Sequence, residues 1–295
     1  MEKASVQNLL RTHARTFAIT LGLLPRALRE PLSLAYLLAR ASDTIADSRR
    51  IPQALRLQHL EELGEMLASG GPVRWNPKIE IKKLVPEELE LLDLLPELLG
   101  LLDLQKDRAE IAGLWLTILK GQCFDLQRFT PGSQSLSGEE LEHYCWLVAG
   151  SVGETWTRLL DKNTTLLSHL TAEEREWVTT CGINYGKGLQ LLNILRDRAE
   201  DWKLGRKYLP DGDVDEMVQL TARWLDQGRR YCERLAPGRI RYATELPLRL
   251  ALKTLGRIKS SPDATRVKIP QWEVALALTQ ALPSLVLRKR ANPAS

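Results

Sequence analysis

Apolar residues recur at intervals of three and four along most of this chain, over residues 31–46, 53–67, 87–104, 109–126 and 139–160. That is the period of one helix face. Runs alternating apolar and polar residues, the mark of a strand, are nearly absent. The pattern predicts an all-α bundle. Breaks fall at Gly70-Gly71-Pro72, Pro77, Thr130-Pro131-Gly132-Ser133, Leu209-Pro210-Asp211-Gly212, Pro237-Gly238 and Ser261-Pro262, where glycine and proline favour turns. None reads as a flexible linker and no solenoid repeat is visible, so one domain over residues 1–295 is expected. Residues 84–104 read as an amphipathic helix packed on its neighbours.

Composition narrows the class of partner. At 295 residues with 44% hydrophobic positions, the chain can build a sizeable core. Its 41 basic and 37 acidic residues leave a formal charge of +4, with no long basic run before Arg288-Lys289-Arg290. This balance gives no reason to expect a nucleic-acid partner. The four cysteines form no CxxC pair and the first residues lack the apolar stretch of a secretory signal, so a reduced, cytoplasmic setting is expected. Residues 274–287 are strongly apolar but are broken by Gln280 and Pro283, and they fall short of the ~20 residues that span a bilayer. Peripheral membrane contact is compatible with this pattern; a transmembrane span is not expected.

The chemistry concentrates in two aspartate pairs, Asp43 with Asp47 and Asp197 with Asp201, each at i, i+4 spacing with an arginine nearby, Arg40 and Arg196. Four residues apart on a helix means one face, so each pair aims two carboxylates at the same small volume. Oxygen-only ligands suit a hard divalent ion, and Mg²⁺ prefers one or two carboxylates with substrate phosphates completing its shell. The flanking sequence is almost uncharged, Leu34 to Ala39 before the first pair and Thr44-Ile45-Ala46 inside it. In the second segment Gln190, Asn193, Asp197 and Asp201 form a polar stripe on an otherwise apolar helix, with Asn193 expected at a buried position that needs partners. Glu200, Arg206 and Lys207 add charge at the mouth. The pattern points to a diphosphate substrate.

Between these segments, the stretch 144–153 carries Tyr144, Trp146, Gly150 and Gly153. Glycine inside a helix costs about 1 kcal/mol relative to alanine, so the pair implies a kink or a close approach of backbone to ligand or helix. Tyr144, with Trp146, Phe17 and Phe124 as looser candidates, could line an apolar pocket whose ring faces stabilise a carbocation. His13-Ala14-Arg15-Thr16-Phe17 offers clustered donors, and Gly121-Gln122-Cys123-Phe124-Asp125 closes an apolar helix with polar groups; alone, both are ambiguous. No P-loop, dinucleotide fingerprint or Ser-His-Asp grouping is visible.

Together, His13 to Phe17, Tyr36 to Asp47, Tyr144 to Gly153 and Gly188 to Pro210 resemble the squalene/phytoene synthase family in order and spacing, over roughly the first two-thirds of the chain. The stretch 265–269 is similar to a late basic stretch of that family. The resemblance implies a helical bundle of the class I isoprenoid synthase type with a central cavity, acting on prenyl diphosphates. It implies Mg²⁺, or Mn²⁺ in its place, held by Asp43, Asp47, Asn193, Asp197 and Asp201. His13, Thr16, Arg40 and Arg196 would contact phosphate oxygens, Tyr36 and Gln190 would complete the substrate site, and Tyr144 would act in catalysis beside Asp43 and Asp197.

Asp-Thr-Ile-Ala-Asp looks most like the squalene synthases of bacterial type. That implies condensation of two farnesyl diphosphates through presqualene diphosphate, then reduction to squalene by NADPH. Without hydride, the same site would release presqualene diphosphate, dehydrosqualene or phytoene. A terpene cyclase, forming a cyclic product from one diphosphate, is the second alternative.

Overall fold

The computed structural model describes residues 19–71, 86–210 and 214–260. His13, Thr16 and Phe17, and the stretches 265–269 and 274–287, lie outside the described residues. Within them every regular element is a helix, joined by short turns and loops, with no strand. In order come α1 (Arg26–Asp47), α2 (Gln53–Ala68), α3 (Pro86–Asp93), α4 (Leu95–Asp103), α5 (Arg108–Arg128) and α6 (Gly138–Cys145), then a π turn (Trp146–Gly150). The order ends with α7 (Ser151–Asn163), α8 (Ala172–Lys203), α9 (Val214–Arg234) and α10 (Arg239–Ser260).

Local chemistry sets several helix starts. At α6 the Ser137 hydroxyl accepts from the Glu140 N–H at 3.1 Å, while the Ser137 N–H donates to the Glu140 carboxylate at 2.8 Å. Thr171 and Glu174 repeat the arrangement at α8, so both helices begin with reciprocal capping. The single helix expected over 87–104 is two, broken at Leu94 between α3 and α4. Pro96 is the cause, because a residue without an N–H fits the first turn of a new helix better than the interior of an old one. Helix α1 begins at Arg26, earlier than the expected start at Pro31, because Leu28 in its first turns is buried and packing holds them.

The Gly150 and Gly153 pair produces both a bend and a close approach. Gly150 ends the π turn, a bulge that commonly marks functional segments. A Cβ at Gly153 would lie 2.0 Å from the Gly182 carbonyl oxygen, and one at Gly186 would lie 2.1 Å from that of Ala149. The π turn and α7 therefore meet α8 backbone to backbone.

Two apolar cores result. One joins α1, α2, α4 and α5 with the ends of α7 and α8, around Leu37, Leu38, Leu60, Leu98 and Trp115. The other lies among α6, α8, α9 and α10, around Cys145, Leu191, Leu195 and Leu225. Among the described residues, no helix is long and apolar enough to cross a membrane.

Candidate functional site

A cavity of about 380 Å³ opens between these cores, and its walls are rows of side chains on three helical runs. Helix α1 contributes Leu32, Tyr36, Ala39, Asp43 and Asp47; α5 contributes Leu114, Ile118, Gln122 and Asp125; the run from α6 into α7 contributes Tyr144, Val148, Val152 and Trp156. Steps of three and four keep each row on one face. Each row is polar at one end and hydrocarbon at the other.

The polar ends meet through Arg206. Its guanidinium bonds Asp47 at 3.0 Å and approaches Asp125 at 3.6 Å. The Tyr208 hydroxyl donates to Asp125 at 2.7 Å and receives the Tyr144 hydroxyl at 3.5 Å. The Tyr144 ring stacks on Tyr208 at 5.1 Å and on Phe124 at 5.9 Å. Arg206 gets there because α8 ends in a reversing turn: Gly205 takes a left-handed φ of 78°, its N–H bonds the Trp202 carbonyl, and the Arg206 N–H bonds the Asp201 carbonyl at 2.9 Å. These paired bonds are a Schellman closure, which needs the positive φ that glycine supplies. The late acidic segment is thereby folded against the early one.

Asp43 is fixed from two sides. Gln122 donates to its carboxylate, and next to it Ser42 receives the Trp115 indole N–H at 3.1 Å, tying α1 to α5. Burial, then the neighbouring Asp47, pushes Asp43 up to about 6, against the Gln122 bond and Arg40. Burial also raises Asp125 to about 6, opposed by Arg206 and Tyr208. Asp201 rises to about 6 through burial, with the charges of Asp197, Asp125 and Asp47 adding to it against Arg206. Arg206 is held well above its ordinary range: burial works against it, but Tyr208, Asp125 and Asp47 win. Carboxylates that crowd one another in this way are short of positive charge. Tyr144 is raised well above its usual value by burial and by Asp125, so its phenol keeps its proton.

The residues expected from sequence divide clearly. Asp43, Asp47, Tyr36, Gln190 and Tyr144 line the cavity, and Asp201 is coupled to its acidic end. Arg40 is 3.9 Å from Asp43 and half exposed. Arg196 grips its neighbour Asp197, with Nε 3.0 Å from a carboxylate oxygen, and neither lines the cavity. Asn193, expected at a buried position, is exposed, one turn along the same face of α8 as the cavity-lining Gln190, while Leu192 and Ile194 beside it are buried. Among the described residues, no three acidic, histidine or cysteine side chains gather as a self-sufficient metal cage. The donors at the acidic end of the cavity, Asp43 and Asp47, are carboxylate oxygens, the ligand type that suits Mg²⁺ when phosphate and water complete its shell.

Sequence reasoning missed Asp125, Gln122 and Tyr208 as parts of the site. Gln122 and Asp125, three apart at the end of an apolar helix, carried a signal, but only the packing of α5 on α1 gives it a meaning.

The squalene/phytoene synthase family model matches residues 10–215. The chain belongs to the squalene/phytoene synthase family. It is 31% identical to a 15-cis-phytoene synthase of Synechocystis over 209 residues, 69% of this chain and 54% of that one. It is 28% identical to a squalene synthase of Gibberella zeae over 206 residues, 68% of this chain and 42% of that one. The chain spans about half the length of these curated relatives. In fold it is similar to TcSQS solved with the ligand E5700, with a TM-score of 0.74 and 21% identity, over 94% of this chain and 85% of that one.

Proposed function

We propose that this chain is a prenyltransferase that condenses two prenyl diphosphates head to head, with farnesyl diphosphate as substrate and squalene as product. The observation that carries the reading is the polarity gradient of the cavity, from Asp43, Asp47, Asp125 and Arg206 at one end to Leu32, Leu114 and Trp156 at the other. Such a hollow matches a molecule with an anionic head and a hydrocarbon tail. It lies within one domain covering residues 1–295 in this proposal, and the compartment proposed is the cytoplasm.

Asp43 and Asp47 from α1, with Asn193, Asp197 and Asp201 from α8, would hold Mg²⁺. The ion would supply positive charge against the departing diphosphate. Arg206, Arg40 and Arg196 add charge on the same side, with His13 and Thr16 as further phosphate contacts. Preorganised charge of this kind, aimed where negative charge develops, is the strongest device available for such a step. Tyr36 and Gln190 hold the allylic part of the chain. Tyr144, a neutral phenol with its oxygen held at Tyr208, orients the second alkene, while the apolar rows keep water away from the cation. NADPH would provide the hydride of the reductive half.

A second reading stops before reduction and yields phytoene, dehydrosqualene or presqualene diphosphate; the phytoene synthase relative at 31% identity favours it. Incubation with farnesyl diphosphate and Mg²⁺, with and without NADPH, followed by mass spectrometry of the lipid, decides. Squalene that depends on NADPH supports the first reading, and the same unreduced product in both arms supports the second. A cyclic product from one diphosphate would overturn both.

A further inference from the structure

A cleft of about 570 Å³ adjoins the acidic end of the reaction cavity, and the two share Asp47, Asp125, Leu126 and Arg206 as lining. Arg49, from the link between α1 and α2, and Gln53 and Arg56, from the first turn of α2, line the cleft and not the reaction cavity. Where the reaction cavity is short of positive charge, the cleft has an excess: three guanidiniums stand around two carboxylates. Both carboxylates already face Arg206, at 3.0 Å from Asp47 and 3.6 Å from Asp125. Among the described residues, neither Arg49 nor Arg56 makes a salt bridge.

Arg56 is fixed in place by its Nη1, which donates to the Ala46 carbonyl at the end of α1. Burial and the charge of Arg206 push its guanidinium below the ordinary range, with Asp47 opposing. Cations that repel one another across a wet cleft lack an anion between them. The start of α2 adds to the same field. This helix of 16 residues begins at Gln53 with neither a side-chain cap nor an acidic residue in its first turn, and the Gln53 amide is turned away to the Leu126 carbonyl. Helix N-terminal N–H groups carry partial positive charge. Guanidiniums beside such groups are the donors that suit phosphate oxygens.

We infer that this cleft is a second anion site, which holds inorganic pyrophosphate free of metal after it leaves the aspartates. This rests on the prenyl diphosphate reading above, which makes pyrophosphate the leaving group. The sign of the charge separates the two sites. Bare carboxylates repel pyrophosphate, so the aspartates take it only with Mg²⁺. The arginines attract the bare anion and lose it to Mg²⁺, which neutralises the same oxygens. Pyrophosphate that has parted from its metal is thus driven out of the reaction cavity and towards Arg49 and Arg56.

The test is calorimetric titration of inorganic pyrophosphate into the whole chain in chelator. The wild type is expected to bind it at one site without metal. Arg49→Gln, an exposed change, is expected to weaken that binding by about tenfold, the worth of one hydrogen bond to a charged group, and Arg49→Gln with Arg56→Gln to abolish it at unchanged far-ultraviolet helicity. Asp43→Asn is expected to keep the metal-free binding and to lose it in excess Mg²⁺. Sulfate at matched ionic strength is expected to compete poorly. With saturating Mg²⁺, kcat/KM of Arg49→Gln for farnesyl diphosphate is expected to equal that of the wild type. No binding without metal, binding that survives in the folded double variant, equal affinity for sulfate, or a fall in kcat/KM of Arg49→Gln overturns the inference. If the wild type condenses no prenyl diphosphate yet binds metal-free pyrophosphate at the arginines, the prenyltransferase reading fails and the anion site stands; condensation without that binding sinks the anion site alone.

Discussion

At the scale of single residues, the site is an excess of carboxylate held together by one guanidinium. Asp43, Asp125 and Asp201 rise from 3.8 to about 6 in the fold. Between those values the folded chain holds more protons than the unfolded one, so stability falls as pH rises through the window and is level above it. Melting temperature in chelator-treated buffer should therefore drop between about pH 4 and pH 6, and Asp43→Asn should flatten part of that slope. The same variant should melt no lower than wild type at pH 7 while losing about 10²-fold or more in turnover, as expected where function keeps like charges together. Arg206→Gln leaves Asp47 and Asp125 without their shared cation. Asp47 keeps 61% of its side chain exposed, so the loss should be on the order of 1–2 kcal/mol rather than that of a fully buried pair, and urea titration at pH 7 would measure it.

At the scale of elements, two kinds of glycine do different work. Gly205 serves the turn that returns Arg206 to the acids; Gly205→Ala, strained at φ 78°, should cost about 1 kcal/mol and lower turnover by misplacing Arg206. Gly153 and Gly186 serve packing. An added methyl at either would sit within 2.1 Å of the backbone of the facing segment, and neither helix can yield without opening a core. Gly186→Ala should cost about 3 kcal/mol or more, read by urea unfolding. If the two substitutions cost the same, the backbone contact between the π turn and α8 is looser than described. The split of the expected 87–104 helix at Leu94 belongs to this scale too: the periodicity continues through Pro96, but the backbone hydrogen bonds cannot.

At the scale of the whole molecule, cavity and metal are coupled. Mg²⁺ with pyrophosphate should raise the melting temperature of the wild type and not of Asp43→Asn, because a ligand that binds only the folded state stabilises it. Chelation should abolish turnover while leaving far-ultraviolet helicity intact, since two apolar cores hold the fold without an ion. The sequence alone determined the all-α class, the paired aspartates, and Tyr144 and Gln190 as residues of interest, because helical period and i, i+4 spacing are local properties of the chain. It also carried the family, through motifs in fixed order. Only the tertiary structure decided that Asp125, from a helix read as ambiguous, joins Asp47 around Arg206, that Asn193 is exposed rather than buried, and that Trp156 borders two hollows, the reaction cavity and a smaller one. Each of these depends on which helix faces pack together, and a one-dimensional pattern specifies the faces but not their partners.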